Sequence, residues 1–99
     1  MGTDKLQILR KNLRYLRKKH GYSQDFIAQV CSKKSYTTIQ KWETSGAEPN
    51  IATLMLLCDL YGVTINDIIY TDLSKWGDHH ANQHNLPQER RIMADYSLL

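Results

Sequence analysis

The chain has 99 residues, a formal net charge of +3 and 41% hydrophobic residues, enough for one small domain with a core of its own. No apolar stretch approaches the roughly 20 residues that span a bilayer, and the first residues do not form a secretory signal. We therefore expect a cytoplasmic protein whose two cysteines, Cys31 and Cys58, are reduced and pack as small apolar side chains.

The first predicted helix runs from about Leu6 to His20 and is followed by Gly21, a residue that commonly ends helices. Leucines recur along it at spacings of three and four residues, which places one apolar stripe against the core: Leu6, Leu9, Leu13, Leu16. The basic residues of this helix fall on its other faces: Arg10, Lys11, Arg14, Arg17, Lys18, Lys19. We expect all of them to lie away from the core.

The second predicted helix begins after Ser23, a typical N-cap residue, and reaches about Val30. A short basic turn with the sequence CSKKS follows. A third helix then begins at its N-cap, Ser35, and ends near Gly46. Two short helices joined by a tight turn are typical of the helix-turn-helix, which lays its second helix in the major groove of DNA.

The third helix is predicted to bury one face and to expose the other. Ile39 and Trp42 are its core positions, and four side chains remain to face outward: Tyr36, Thr37, Gln40, Lys41. Thr37 offers a hydroxyl to a base edge or a methyl to thymine, Gln40 suits adenine, and Lys41 reaches the acceptors of guanine. Tyr36 suits a thymine methyl or a phosphate.

Two more helices complete an all-α domain of five helices over residues 1–72. Asn50 caps the fourth, which runs to about Tyr61 and carries enough apolar residues for a central, mostly buried helix: Ile51, Leu54, Met55, Leu57, Cys58, Tyr61. Thr64 with Asp67 resembles a capping box at the start of a fifth helix over 65–70. That helix carries Ile65, Ile68 and Ile69.

Residues 73–99 are predicted to form a polar linker or tail. Pro87 is a candidate first residue of a last short helix, but its few apolar residues cannot stabilise it alone: Ile92, Met93, Tyr96. The chain ends on Leu98 and Leu99, which suggests either a contact with a partner or the start of a further region.

The sequence contains no convincing chemistry for catalysis or metal binding. His79, His80 and His84 cluster in the tail, but that segment is polar, lacks a helical pattern and offers no Cys to complete a tetrahedral set. There is no Gly-rich phosphate loop and no nucleophile motif. We therefore expect neither an enzyme nor a bound cofactor.

The positive charge is concentrated where the helix-turn-helix lies. Residues 1–41 contain ten Lys and Arg against two acidic residues, whereas residues 42–99 contain three against eight. A basic half is the electrostatic footprint of a protein that binds a polyanion, although basic helix faces are also common on ordinary surfaces. Lys33 and Lys34 in the turn are candidates for phosphate contacts, which position a protein without specifying sequence.

Three motifs in order resemble the lambda-repressor-like, Xre-type helix-turn-helix family of phage and bacterial regulators: LRYLRKKHGYSQ, then IAQV, then TIQKWETSGAEPNIATLMLLCDLYGVTINDII. The resemblance covers roughly residues 6–72. It implies the compact five-helix fold of that family and a regulator that binds double-stranded DNA through helix 35–44.

The resemblance also implies roles for individual residues. The base-reading positions are Tyr36, Thr37 and Lys41, with Gln40 beside them. Gln24 matches a residue that in relatives touches backbone phosphate and steadies the recognition helix. In addition to Gln24, we predict phosphate contact or positioning for five residues: Lys33, Lys34, Ser35, Thr38, Asn50. Arg17 and Glu43 match a pair that forms a structural salt bridge between the first and third helices.

The sequence departs from the family pattern in the turn. Ser32 stands where relatives usually have Gly, and the turn is one residue longer than usual within Ser32-Lys33-Lys34. This departure affects the register of Tyr36 and Thr37 on DNA rather than the fold.

These observations predict a sequence-specific transcriptional regulator, more specifically a repressor that binds a palindromic operator as a homodimer. Candidate dimer contacts are the apolar residues of the fifth helix and the tail: Ile65, Ile69, Trp76, Leu98, Leu99. Two alternatives stay open. The first alternative is an antitoxin-like or other protein-interaction module with the same fold. The second is the DNA-binding half of a longer regulator that also carries a sensor domain.

Overall fold

Five α-helices follow one another along the part of the chain that the computed structural model describes, residues 4–75. They are Gln7–Lys19 (α1), Gln24–Val30 (α2), Tyr36–Glu43 (α3), Ile51–Tyr61 (α4) and Ile65–Tyr70 (α5). No strand occurs among these residues, so the predicted all-α fold is confirmed. The short helix predicted after Pro87 and the histidine cluster lie outside the described residues.

Side-chain caps begin four of the helices at the positions that the sequence predicted. Ser23, Ser35, Asn50 and Thr64 each accept a hydrogen bond from a backbone N–H in the first turn of α2, α3, α4 and α5. Such caps satisfy N–H groups that have no partner within the helix, which is why these four side chains set the helix starts.

The third helix ends at Glu43 rather than near Gly46. The hydroxyl of Thr44 donates to the carbonyl of Gln40 at 2.8 Å, and the guanidinium of Arg10 donates to the carbonyls of Lys41 and Trp42. If the helix continued for one more turn, these carbonyl groups would accept hydrogen bonds from backbone N–H groups, but here they accept from side chains. Gly46, with φ of +97°, therefore lies in the loop after the helix.

The core forms where α1 meets α3 and α5 and where α2 meets α3. Of the four predicted leucines, Leu9, Leu13 and Leu16 are each 4% exposed, and Leu6, the residue before α1, is partly buried against the same core. The buried core also contains residues of the other four helices and Cys31, which follows α2: Ile27, Ala28, Cys31, Ile39, Trp42, Leu54, Leu57, Cys58, Tyr61, Ile68. Both cysteines are buried and free, and burial raises the pKa of the Cys58 thiol to about 11, so it stays protonated.

Arg10 contradicts the prediction that every basic residue of α1 lies away from the core. Arg10 is 7% exposed. Its guanidinium donates to the carbonyls of Lys41, Trp42 and Ala47 and to the carboxylate of Asp4. The charge is therefore compensated by a carboxylate and by carbonyl groups at the C-terminal end of α3, where a cation is favourable.

Asn12 is the other buried polar residue of α1, and it is fully buried. Its amide donates to the carbonyls of Ile68 and Thr71 at 2.8 and 2.7 Å and accepts from the backbone N–H of Leu73 at 2.9 Å. One side chain thus fixes the end of α5 to α1 and extends the packed structure to Leu73.

The fourth helix is buried on one side only, which corrects the prediction of a mostly buried helix. Leu54, Leu57, Cys58 and Tyr61 face the core, but Ile51 is 64% exposed, Met55 54% and Leu56 40%. In contrast, Ile65 and Ile69 of α5 are partly buried against the core. Within residues 4–75, no helix is long and apolar enough to cross a membrane.

Candidate nucleic-acid interface

The two helices α2 and α3 pack against each other and are joined by the turn from Cys31 to Ser35. The backbone N–H of Lys33 donates to the carbonyl of Ala28 at 2.8 Å, and that of Ser32 donates to Gln29 at 3.1 Å. This pair of bonds is a Schellman motif, which needs a left-handed residue just after the helix. That residue is Ser32, with φ of +57°, which explains why the family pattern has Gly there.

The four predicted base-reading residues share the exposed face of α3. Tyr36 is 48% exposed, and Thr37, Gln40 and Lys41 are also exposed. On the opposite face, Ile39 and Trp42 are only 2% and 3% exposed and fasten the helix to the core. The helix therefore presents a row of polar side chains from a rigid support.

The start of α3 orients the side chain of Thr37. The hydroxyl of Ser35 accepts from the backbone N–H of Thr37 at 3.1 Å and donates to the Thr37 hydroxyl at 3.0 Å. Because the Thr37 oxygen already accepts this bond, its own hydroxyl hydrogen can be donated to an outside acceptor. Ser35 thus acts as a helix cap and as the partner of a candidate base reader.

A largely buried ion pair holds α3 to α1. The guanidinium of Arg17 donates from Nε and Nη2 to the two carboxylate oxygens of Glu43 at 2.6 and 3.0 Å, and from Nη1 to the carbonyl of Tyr22. The two side chains are 11% and 3% exposed. The hydrogen bonds to the Glu43 carboxylate raise the pKa of Arg17, so the guanidinium stays charged.

Gln24 extends this ion pair to α2. Its amide nitrogen donates to the Glu43 carboxylate at 3.2 Å, so one carboxylate connects α1, α2 and α3. A carboxylate with two bonds to a guanidinium and one to an amide is well compensated. The relative orientation of the three helices around the turn therefore depends on Glu43.

The remaining predicted phosphate-contact residues occupy several kinds of position. Lys33 and Lys34 are exposed in the turn after α2, and Thr38 is half-buried on α3. Asn50 caps α4 through its side-chain oxygen Oδ1, which accepts from the backbone N–H of Thr53 at 2.8 Å. Ser35 and Asn50 therefore have structural roles whether or not they touch DNA.

A family model described as helix-turn-helix matches residues 13–68, which include both helices of the motif, the turn and α4. The chain belongs to the lambda-repressor-like helix-turn-helix family. It is thus a DNA-binding regulator of the helix-turn-helix type. No curated protein and no solved structure gives a significant match.

Proposed function

We propose that this protein represses transcription by binding a palindromic operator in double-stranded DNA as a homodimer, with α3 in the major groove. The exposed face of α3 is the observation that carries the proposal: Tyr36, Thr37, Gln40, Lys41. These side chains match what base edges require, since Thr37 can donate to an acceptor, Gln40 can pair with adenine and Lys41 can reach guanine.

Contacts to phosphate would fix the position of α3 in the groove. Lys33 and Lys34 are exposed in the turn after α2, where their positive charges can contact a neighbouring phosphate. Gln24 uses its amide nitrogen on Glu43, and an NH₂ group has a second hydrogen to donate to a phosphate oxygen. The register of all these contacts depends on the turn that Ser32 forms.

The homodimer would form through the exposed apolar residues of α4. Ile51 and Met55 are one helical turn apart and more than half exposed, with Leu56 beside them. Exposed apolar side chains that cluster on one helix mark a contact surface. Of the contacts expected from the sequence, Ile65 and Ile69 are partly buried in their own chain. The other three, Trp76, Leu98 and Leu99, lie outside the described residues. A second copy also matches the two-fold symmetry of a palindromic site.

The same apolar face of α4 supports a second candidate function, an antitoxin-like or other module whose main partner is a different protein. The two functions differ in their dependence on DNA. A repressor requires the α3 face for its activity, whereas a protein-interaction module requires only α4.

Binding of the full chain to a labelled random duplex over a series of salt concentrations tests the proposal. Neutralising Z phosphates gives log K a slope of about −0.9Z against log salt, so a DNA-binding protein should show a steep negative slope. An absence of duplex binding at low salt would refute the proposal and favour the protein-interaction module.

A further inference from the structure

The outer face of α1 carries two basic side chains beside the helix-turn-helix. Arg14 and Lys18 are both exposed and lie four residues apart, so they project from adjacent turns of the same helix face. They line a groove whose other walls come from α2 and α3, with these residues: Ser23, Gln24, Tyr36, Gln40, Thr44. The pair is therefore a neighbour of the proposed base readers.

The two side chains differ from the rest of the basic residues of α1 in having no partner within the described chain. Arg10 bonds Asp4 and three carbonyls, Arg17 bonds Glu43, and Lys11 meets Asp72 at 2.8 Å. Lys19 lies over the ring of Tyr15. Among residues 4–75, no salt bridge or side-chain hydrogen bond engages Arg14 or Lys18.

The charge around this groove is positive. Two acidic residues line it, Glu43 and Asp25. Glu43 is already compensated by Arg17, so Asp25 remains as the acidic group that opposes Arg14 and Lys18. An uncompensated positive charge in a groove attracts an anionic partner, and exposure makes both side chains available to it.

We propose that Arg14 and Lys18 bind phosphates of the DNA strand that borders the major groove occupied by α3. This inference rests on the proposed function. With α3 in a groove roughly 12 Å wide, protein elements at the side of the helix meet the sugar-phosphate backbone. The groove shared with Tyr36 and Gln40 places Arg14 and Lys18 at that side. Arg14 can hold a phosphate with two parallel N–H bonds, and Lys18 adds a point charge.

Lys18 and Lys19 offer a matched pair of variants, because they are adjacent lysines on one helix and only Lys18 lines the groove. For each bound protomer, we expect Lys18→Gln to reduce the salt slope for duplex binding by about 0.9, and the double change with Arg14→Gln to reduce it by about 1.8. Lys19→Gln should leave the slope unchanged. Arg14→Lys keeps the charge and should retain most of the binding.

Random and operator duplexes should lose affinity by the same factor, since phosphate contacts carry no sequence information. Equal slopes for the Lys18 and Lys19 variants would overturn the inference, as would a loss confined to the operator. If Lys33→Ala with Lys34→Ala reduces the slope while the Arg14 and Lys18 variants do not, the inference fails and the proposed function stands. If the unaltered chain binds no duplex, both fail.

Discussion

The helices α3 and α4 each bury one face in the same core, yet their exposed faces have opposite chemistry. The exposed face of α3 is polar and carries Lys41, whereas the exposed face of α4 carries Ile51 and Met55. A base edge in a groove offers hydrogen-bonding groups, but a protein surface can bury apolar area. Under the proposed function, DNA contact and self-association are assigned to different helices of one small domain.

The largest expected effect comes from removing the support of the α3 face. Glu43→Ala leaves Arg17 as a largely buried cation without its carboxylate and removes the bond to Gln24, so we expect a loss of about 3 kcal/mol of stability. Glu48→Ala is the matched control, because the Glu48 side chain is 58% exposed and lies 3.9 Å from Arg10.

Chemical denaturation of the parent chain, the Glu43→Ala variant and the Glu48→Ala variant measures the difference in their free energies of unfolding. Surface ion pairs contribute about 0–1 kcal/mol, so the Glu48 variant should unfold almost like the parent chain. A Glu43 variant that unfolds like the parent yet fails to bind DNA would contradict the structural role and would point to a direct contact.

The next effect concerns the α3 face itself. Lys41→Ala should weaken binding to the selected operator by about 1–3 kcal/mol more than binding to random duplex, since a base contact carries sequence information. Its backbone carbonyl is held by Arg10, so truncation of the side chain should leave the fold intact. Competition titrations with the two duplexes give the two affinities. An equal loss on both would mean that Lys41 touches phosphate only.

The α4 face is tested by placing a charge on it. Met55→Asp should weaken self-association by about tenfold, or about 1.4 kcal/mol, because the carboxylate would have to be buried between two copies. Asn66→Asp is the control, since it adds the same charge at an exposed position of α5. Sedimentation of the full chains at micromolar concentrations compares the self-association of the two variants with that of the parent chain. Unchanged association in the Met55 variant would remove α4 from the interface.

The smallest expected effect lies in the turn that links the motif. Gly21 and Ser32 both occupy the left-handed position after a helix, with φ of +75° and +57°. Ser32→Gly should stabilise the protein by about 0.5–1 kcal/mol. Removing the Cβ relieves a left-handed conformation that costs about 1–2 kcal/mol, but glycine loses more conformational entropy on folding, which offsets part of this gain.

The mirror change, Gly21→Ser, should destabilise by a similar amount. Apart from Gly21 and its two chain neighbours, no residue has an atom within 4 Å of a Cβ added at Gly21, so the effect would report backbone conformation and not a clash. Thermal melts of both variants measure the pair. A Ser32→Gly variant with an unchanged or lowered melting temperature would show that the serine side chain compensates for its own strain.

The sequence predicted the parts of this structure that depend on local interactions. The caps Ser23, Ser35, Asn50 and Thr64 bond to N–H groups two or three residues away, and the leucines of α1 repeat with the helical period. Local residue types therefore reveal where helices begin and which stripe of α1 is buried.

Contacts between distant residues could not be predicted in this way. Asn12 bonds to the carbonyl of Ile68, 56 residues further along the chain, and Arg10 bonds to Lys41, 31 residues further along. An Arg in a basic helix gives no sign that its guanidinium will meet the end of another helix. The apolar content of α4 similarly could not show that Ile51 and Met55 lie outside the core, because that depends on how many neighbours cover the helix.

Selection of bound sequences from a pool of random double-stranded DNA tests most directly that the exposed face of α3 reads base edges. The full chain should enrich a single motif made of two inverted half-sites whose centres lie about 10 base pairs apart, one helical turn of DNA. A pool that stays random after several rounds, while the chain still retains DNA, would show binding to phosphate without base reading and would contradict the account.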